Sequence, residues 1–126
     1  MVAQLPAIIT VLAVALTVIL AVRVSLFRAK FKIDAPAQTG NPVLERAVRI
    51  HGNTVEAMVV FLPMLWLGAM LYSETIAFYL GIGWLVGRLA YAVGFTMDAK
   101  KRVQGFAISA LCVLGLLIIT IMGLVM

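Results

Sequence analysis

The sequence predicts an all-α integral membrane protein that folds as a four-helix bundle. The 126-residue chain is 64% hydrophobic and only 12% charged, which is about half the charged share of an average soluble domain. Its mean hydropathy is +1.14, and short polar segments separate four long apolar stretches. A chain of this length has room for one domain. We therefore expect residues 1–126 to form a single unit that crosses the bilayer four times.

Each apolar stretch is long enough to cross a hydrocarbon core about 30 Å thick. The first contains no charged residue. The second follows Asn41-Pro42, a pattern typical of a helix start, in which Asn41 caps the helix and Pro42 is its first residue. Pro63 lies inside this helix, where proline causes a kink. The predicted spans are about 5–22, 43–72, 76–96 and 103–126.

Basic residues are concentrated beside two of the three loops. Four of the ten residues 23–32 and all three of residues 100–102 are arginine or lysine, whereas the loop between the second and third spans carries Glu74 and no base. By the positive-inside rule, the first and third loops are cytoplasmic and both termini lie on the non-cytoplasmic side, in a bacterial inner membrane or the endoplasmic reticulum. This topology accounts for the net charge of +5. We expect no nucleic-acid partner, because no basic stripe with interleaved aromatics is present.

One face of the second helix carries a polar series. Four polar side chains are spaced three, four and three residues apart, which keeps them within about 80° of the helix circumference. They are Arg46, Arg49, Asn53 and Glu56. Polar groups at membrane depth are costly and usually functional, although an ion-pair ladder or hydrogen bonds between helices would also explain them. His51 points to the opposite side, which argues against a direct role as a general base.

The third span supplies side chains that can face this series. Arg88, Tyr91 and Phe95 share one helix face. Arg88 lies about 12 Å from the predicted cytoplasmic end of its span, a depth at which a guanidinium needs an acid. Glu56 is the acid at similar depth, so we predict an Arg88–Glu56 ion pair. Tyr91 can donate a hydrogen bond either to a ligand or to the bundle.

Arg102 lies where the fourth helix begins, next to the fourth span, and the helix N-terminus and the guanidinium both favour an anion there. Contact with lipid phosphates, shared with Lys100 and Lys101, is one interpretation. The other is stabilisation of a thiolate, because a nearby cation lowers the pKa of a thiol. The single cysteine, Cys112, lies in an apolar run and is interpreted as a small buried residue. Since no cluster of metal-binding residues surrounds it, we predict no metal site.

Two motifs together resemble the signature of the MAPEG family, the membrane-associated proteins in eicosanoid and glutathione metabolism. The resemblance extends over the whole chain in its length, its four spans and its loop lengths. The motifs are Glu45-Arg46-x-x-Arg49-x-x-x-Asn53-x-x-Glu56 with Phe61-Leu62-Pro63, and Gly87-Arg88-x-x-Tyr91-x-x-Gly94-Phe95 with the later Arg102.

The resemblance implies a homotrimer in the lipid membrane, with glutathione as co-substrate bound between neighbouring subunits near the cytoplasmic face. It implies that Arg49, Asn53 and Glu56 hold the peptide and its charged ends. Tyr91 would contact glutathione, and Arg88 would support the site. Arg102 would stabilise the glutathione thiolate, as in a microsomal glutathione S-transferase. That thiolate would attack a lipophilic electrophile or reduce a lipid hydroperoxide. The implied glutathione site consists of Arg49, Asn53, Glu56, Arg88 and Tyr91.

Two departures from the family pattern keep alternatives open. Phe95 stands where several members carry tyrosine, and Ala57 follows Glu56 where some place tyrosine. The alternatives are a MAPEG-like enzyme that uses glutathione, a MAPEG-like enzyme that uses another thiol, and a non-catalytic MAPEG-like membrane protein. A small four-helix transporter is a further alternative, although such carriers need a titratable acid, commonly in the first helix, and residues 5–22 contain none.

Overall fold

A computed structural model describes residues 4–126, which form four α-helices and one short 3-10 helix. All four helical segments are long and apolar enough to cross a membrane. The predicted all-α membrane bundle is therefore confirmed, and the chain is an integral multi-pass membrane protein. The α-helices are α1 (Gln4–Phe31), α2 (Pro42–Leu71), α3 (Glu74–Met97) and α4 (Arg102–Val125), and the 3-10 helix is Ala99–Lys101.

The ends of the helices follow local sequence signals. Asn41 caps α2 as predicted, because its side-chain oxygen accepts a hydrogen bond from the Val43 N–H at 2.8 Å. Ser73 caps α3 with its hydroxyl, so only Tyr72 and Ser73 join α2 to α3. So short a link makes these two helices antiparallel neighbours. The first helix is longer than predicted and continues from residue 22 to Phe31, because its basic end contains no helix breaker.

Two apolar clusters fill the bundle, and a polar layer separates them. The larger cluster lies toward the α2–α3 link and includes Phe61 and Trp84, whose rings stack with 3.9 Å between their centroids. The smaller one lies toward the other two loops and includes Ile50 and Tyr91. Arg88 lies between them along α3 and is only 1% exposed. A buried guanidinium therefore sits between two apolar layers, where its hydrogen bonds matter for stability.

Close contact between α3 and α4 depends on two glycines. These helices make the most extensive contact in the bundle. A Cβ atom on Gly87 would lie 2.7 Å from the backbone nitrogen of Ser109, and one on Gly105 would clash with the backbone of Tyr91. The two backbones therefore touch at this crossing, as small residues allow in membrane helices. The contact brings the first turn of α4, which begins at Arg102, against the end of α3.

Candidate functional site

A cleft of about 540 Å³ opens between α2, α3 and the beginning of α4. We call it the Arg102 cleft. It combines two guanidiniums, an amide and a phenol with an apolar wall. Guanidiniums and an amide suit carboxylate and carbonyl groups of a ligand, and the apolar wall suits a lipophilic one. Its lining residues are Arg49, Asn53, Tyr91, Phe95, Arg102, Val103 and Phe106.

Arg88 lies behind this cleft and fixes the orientation of Asn53. Its Nη2 donates hydrogen bonds to Asn53 Oδ1 at 2.9 Å and to Thr54 Oγ1 at 2.8 Å. The Thr54 hydroxyl donates in turn to the carbonyl of Ile50 at 2.8 Å. Because the amide oxygen of Asn53 accepts from Arg88, the NH₂ group of that amide is the end that can serve a ligand. Asn53 is thus presented to the cleft as a donor.

Tyr91 is held by aromatic and cation–π contacts. The Cζ atom of Arg88 lies 4.2 Å from the centroid of the Tyr91 ring. Tyr91 is only 3% exposed, and a desolvated cation–π contact is worth about 2 kcal/mol. Phe95 packs edge-on against the same ring, with 5.6 Å between centroids and 86° between planes. These contacts immobilise the phenol that lines the cleft.

The predicted Arg88–Glu56 ion pair is wrong. Glu56 Oε1 lies 3.4 Å from Arg49 Nη1, and the two side chains are 66% and 60% exposed. Residues two positions apart on a helix point about 200° away from each other, so Thr54 faces α3 while Glu56 faces outward. Among residues 4–126, Arg49–Glu56 is the one ion pair. Neutral oxygens and an aromatic ring, not a carboxylate, therefore surround the buried Arg88.

Arg102 is the first residue of α4 and lies exposed at the cleft. Its Cζ atom is 5.5 Å from the centroid of the Phe95 ring, and its Nη1 donates to the carbonyl of Ala99. The ring and the carbonyl orient the guanidinium, and the bond to Ala99 uses one of several N–H donors. The others can serve an anion that enters the cleft.

A second cleft, of about 560 Å³, also borders Arg49. We call it the Glu56 cleft, and its other lining residues come from the first loop and the outward face of α2. Arg49 thus belongs to both clefts, whereas Glu56 lines only the second. His51 lines neither of these two clefts. Of the predicted site residues, the Arg102 cleft brings together Arg49, Asn53, Tyr91 and Arg102.

Thr54 is the buried site residue that the sequence analysis missed. It has no exposed surface and is the polar member of the stripe on α2 that faces the bundle. The signal was available, because Leu44, Ala47, Ile50 and Thr54 follow one another at spacings of three and four residues. Val103 and Phe106 were also missed, because the sequence does not distinguish an apolar side chain that lines a cleft from one that faces lipid.

The described residues contain no group of three or more His, Cys, Asp or Glu side chains arranged to hold a metal ion. Cys112 is a partly buried free thiol. It lies against α3 at Gly83, where an added Cβ would be 2.6 Å from its sulfur. This thiol is not among the residues that line the Arg102 cleft.

Comparison with known proteins relates most of the chain to one family. The model of the MAPEG family matches residues 6–122. An uncharacterized protein of Synechocystis sp. is 46% identical over 106 residues, which cover 84% of this chain and 77% of that protein. Human microsomal glutathione S-transferase 2 is 36% identical over 104 residues, or 82% of this chain and 68% of the human protein. Bovine leukotriene C4 synthase is 31% identical over 116 residues, or 92% and 77%.

Proposed function

The chain belongs to the MAPEG family, and on this premise we propose that the Arg102 cleft binds glutathione and that Arg102 stabilises its thiolate. Relatives named as a glutathione S-transferase and a leukotriene synthase support a membrane-bound glutathione-related transferase. One observation carries the finer proposal. A single cleft joins two guanidiniums to a wall formed by Phe95, Val103 and Phe106, which suits a charged thiol and a lipophilic co-substrate together.

The polar groups of the site complement those of glutathione, which has two carboxylates, one ammonium and one thiol at neutral pH. Arg49 and the NH₂ group of Asn53 donate to carboxylate and carbonyl oxygens. Glu56 lines the adjoining Glu56 cleft and is paired with Arg49 at 3.4 Å. It accepts hydrogen bonds from the ammonium, so the peptide extends past Arg49 from one cleft into the other. Tyr91 contacts the peptide, and Arg88 acts through Asn53 as a positioning residue. This assignment gives the ammonium and one carboxylate an opposite charge, and it gives the other carboxylate a neutral amide donor.

The chemical step begins with the thiolate. The Arg102 guanidinium stabilises the negative sulfur and so lowers the pKa of the glutathione thiol, whose proton passes to water. A sulfur lone pair then forms a C–S bond at an electrophilic carbon. The bonding pair of that carbon leaves with its leaving group or, in an epoxide, moves onto the oxygen, which takes a proton from water.

A lipid hydroperoxide would react at the same sulfur. The thiolate attacks the terminal oxygen of the O–O bond, which gives glutathione sulfenic acid and a lipid alkoxide that takes a proton from water. A second glutathione thiol then reduces the sulfenic acid to glutathione disulfide and water. Conjugation and peroxide reduction therefore need the same binding site and the same cation, Arg102.

The co-substrate reaches the sulfur through the bilayer. Val103 and Phe106 are 60% and 51% exposed on α4, and both line the Arg102 cleft. In a membrane, exposed apolar side chains of a spanning helix contact acyl chains. The cleft is thus continuous with the lipid at its apolar wall, and a lipophilic electrophile can enter without crossing water.

A homotrimer would complete this site. Glu56 lies about 22 Å along α2 from Leu71 at the opposite end of the helix, which is within a hydrocarbon core about 30 Å thick, where an acid on an outer helix face needs cover. Its side chain is nevertheless 66% exposed in one chain, and a neighbouring subunit would cover it. The site then lies near the cytoplasmic face, beside the basic loops, and both termini lie on the other side.

Glutathione binding and turnover test the proposal. Purified protein in detergent is titrated with glutathione and assayed for conjugation of an electrophilic aromatic substrate. We expect saturable binding and turnover in the native chain, a large loss of turnover in Arg102→Ala, and little change in Lys100→Ala, which removes a neighbouring cation. No binding at millimolar glutathione would refute the proposal. Binding without turnover in the native chain would favour a non-catalytic MAPEG-like protein. Phe95, which lacks the hydroxyl that several family members carry there, is the residue that keeps this alternative open.

A further inference from the structure

A groove between α1 and α3 carries one cation in apolar surroundings. It has a volume of about 360 Å³ and walls of side chains such as Leu20, Leu89 and Val93. In the described chain its lining has two polar members, Arg23 and Thr96. The groove is lined by α1 and α3 alone and shares no residue with the Arg102 cleft. A ligand here would be separate from the thiol site.

Arg23 is held at this groove by contacts on both sides. Its Nη2 donates to Thr96 Oγ1 at 2.6 Å, and the Thr96 hydroxyl donates to the carbonyl of Ala92 at 2.7 Å. Its Cζ atom lies 5.4 Å from the centroid of the Phe27 ring. Only one guanidinium nitrogen is used in this bond, so the planar group keeps donors for a further acceptor.

No acid of the described chain neutralises Arg23. The single ion pair within residues 4–126 joins Arg49 to Glu56. The carboxylate of Asp98, the nearest acid to Thr96 in sequence, accepts from the Lys100 N–H instead. This partly buried guanidinium thus has a hydroxyl partner but no internal counter-ion, and its remaining N–H donors can serve an anion.

The height of Arg23 matches the level of lipid headgroups. Thr96 is the last residue but one of α3, so Arg23 is level with the end of that helix. Helix α1 continues to Phe31, about 12 Å farther at 1.5 Å per residue. Basic pockets between membrane helices on the cytoplasmic side bind anionic headgroups. A guanidinium can also bind a phosphate through two parallel hydrogen bonds.

We propose that this groove binds an anionic glycerophospholipid. The phosphate pairs with Arg23, and one acyl chain lies along the apolar walls between α1 and α3. Charge complementarity selects this occupant, because a zwitterionic lipid brings its own cation and gains less from Arg23. The inference does not depend on the proposed thiol chemistry.

Site-resolved photolabelling tests this proposal. Phosphatidylglycerol and phosphatidylcholine with the same diazirine-bearing acyl chain are added separately to the purified chain in detergent, and adducts are located by mass spectrometry. We expect phosphatidylglycerol to label groove residues such as Leu89 several-fold more than phosphatidylcholine does. Arg23→Gln should lower that labelling about fivefold, the effect of one interfacial cation. Lys32→Gln is the matched control, because it removes an exposed cation outside the groove.

A steric variant separates the groove from general surface charge. Val93 is 60% exposed, so Val93→Trp should fold and fill the groove, which would reduce labelling by both lipids there. Together with the lipid preference of the native chain, it tests the site even if Arg23→Gln does not fold. Equal labelling by the two lipids, or unchanged labelling in a folded Arg23→Gln, would overturn the proposal. Absence of label from the groove in the native chain would also overturn the proposal, and it would favour a second copy of the chain as the occupant.

Discussion

Arg88 on α3 reaches the Thr54 hydroxyl on α2, with 2.8 Å between Nη2 and Oγ1. The same nitrogen bonds Asn53 Oδ1 at 2.9 Å. One buried guanidinium thus joins two helices and also decides which end of the Asn53 amide faces the Arg102 cleft. Stability and ligand affinity depend on the same group through different acceptors, so substitutions at the two acceptors should separate these effects.

Thr54→Val should destabilise the protein at nearly constant side-chain volume. Loss of one acceptor for a buried charged donor lowers the free energy of unfolding by about 1–3 kcal/mol. Thr54→Ser keeps the hydroxyl and should recover most of this loss. Thermal unfolding in one detergent measures both variants. If Thr54→Val and the native chain unfold at the same temperature, the Thr54 hydroxyl does not stabilise Arg88.

Asn53→Asp should weaken glutathione binding without destabilising the bundle. The carboxylate still accepts from Arg88, so the unfolding temperature should stay at or above that of the native chain. The cleft, however, loses an NH₂ donor and gains an oxygen that repels carboxylates. Loss of a hydrogen bond to a charged group costs about 1.5–3 kcal/mol, so the Kd for glutathione should rise at least tenfold. Titration calorimetry measures the Kd, and an unchanged value would contradict the donor role of Asn53.

Glu56→Gln should affect one end of the ligand only. The exposed Arg49–Glu56 pair contributes at most about 1 kcal/mol to the folding of a single chain, so its loss should have little effect on folding. Glutathione should bind more weakly because its ammonium loses a counter-charge. An analogue without the amino group is the matched control, and it should bind the native and variant chains alike. Equal losses of affinity for both ligands would show that Glu56 does not contact the ammonium.

Gly105→Ala should separate α3 from α4. The added Cβ would clash with the backbone of Tyr91, which cannot move as a side chain can. Gly115→Ala is the comparison, because the three atoms nearest to its Cβ would be side-chain atoms of Leu80, the closest at 3.1 Å. We expect Gly105→Ala to unfold at the lower temperature and to lose glutathione affinity, since α4 carries Arg102. Equal unfolding temperatures would show that the crossing tolerates a Cβ.

Much of the fold follows from sequence signals that act locally. Hydrophobic length predicts the four helices, and the Asn41-Pro42 pair places the beginning of α2 correctly. The spacing of Arg49 and Asn53 predicts that they share a face, and both line the Arg102 cleft. Such properties depend on one helix at a time, so periodicity and capping chemistry are sufficient to predict them.

The contacts between helices could not be predicted in the same way. The Arg88–Glu56 pair was inferred from similar depth, but depth does not fix the direction in which a side chain points around its helix. The apolar stripe through Ile50 turns Thr54 toward α3, and Glu56 therefore points outward. A threonine can satisfy a buried guanidinium by hydrogen bonding, so the expectation that Arg88 needs an acid was too narrow.

The ionisation of bound glutathione tests the role of Arg102 most directly. The ultraviolet absorbance of the thiolate is followed against pH for the native chain, Arg102→Ala and Lys100→Ala, at glutathione concentrations that saturate each. We predict a bound-thiol pKa below that of free glutathione in the native chain and in Lys100→Ala. In Arg102→Ala it should be higher by at least about one unit, because an adjacent opposite charge shifts a pKa by that much. Saturable binding with the same thiolate titration in Arg102→Ala and the native chain would show that Arg102 does not stabilise the thiolate.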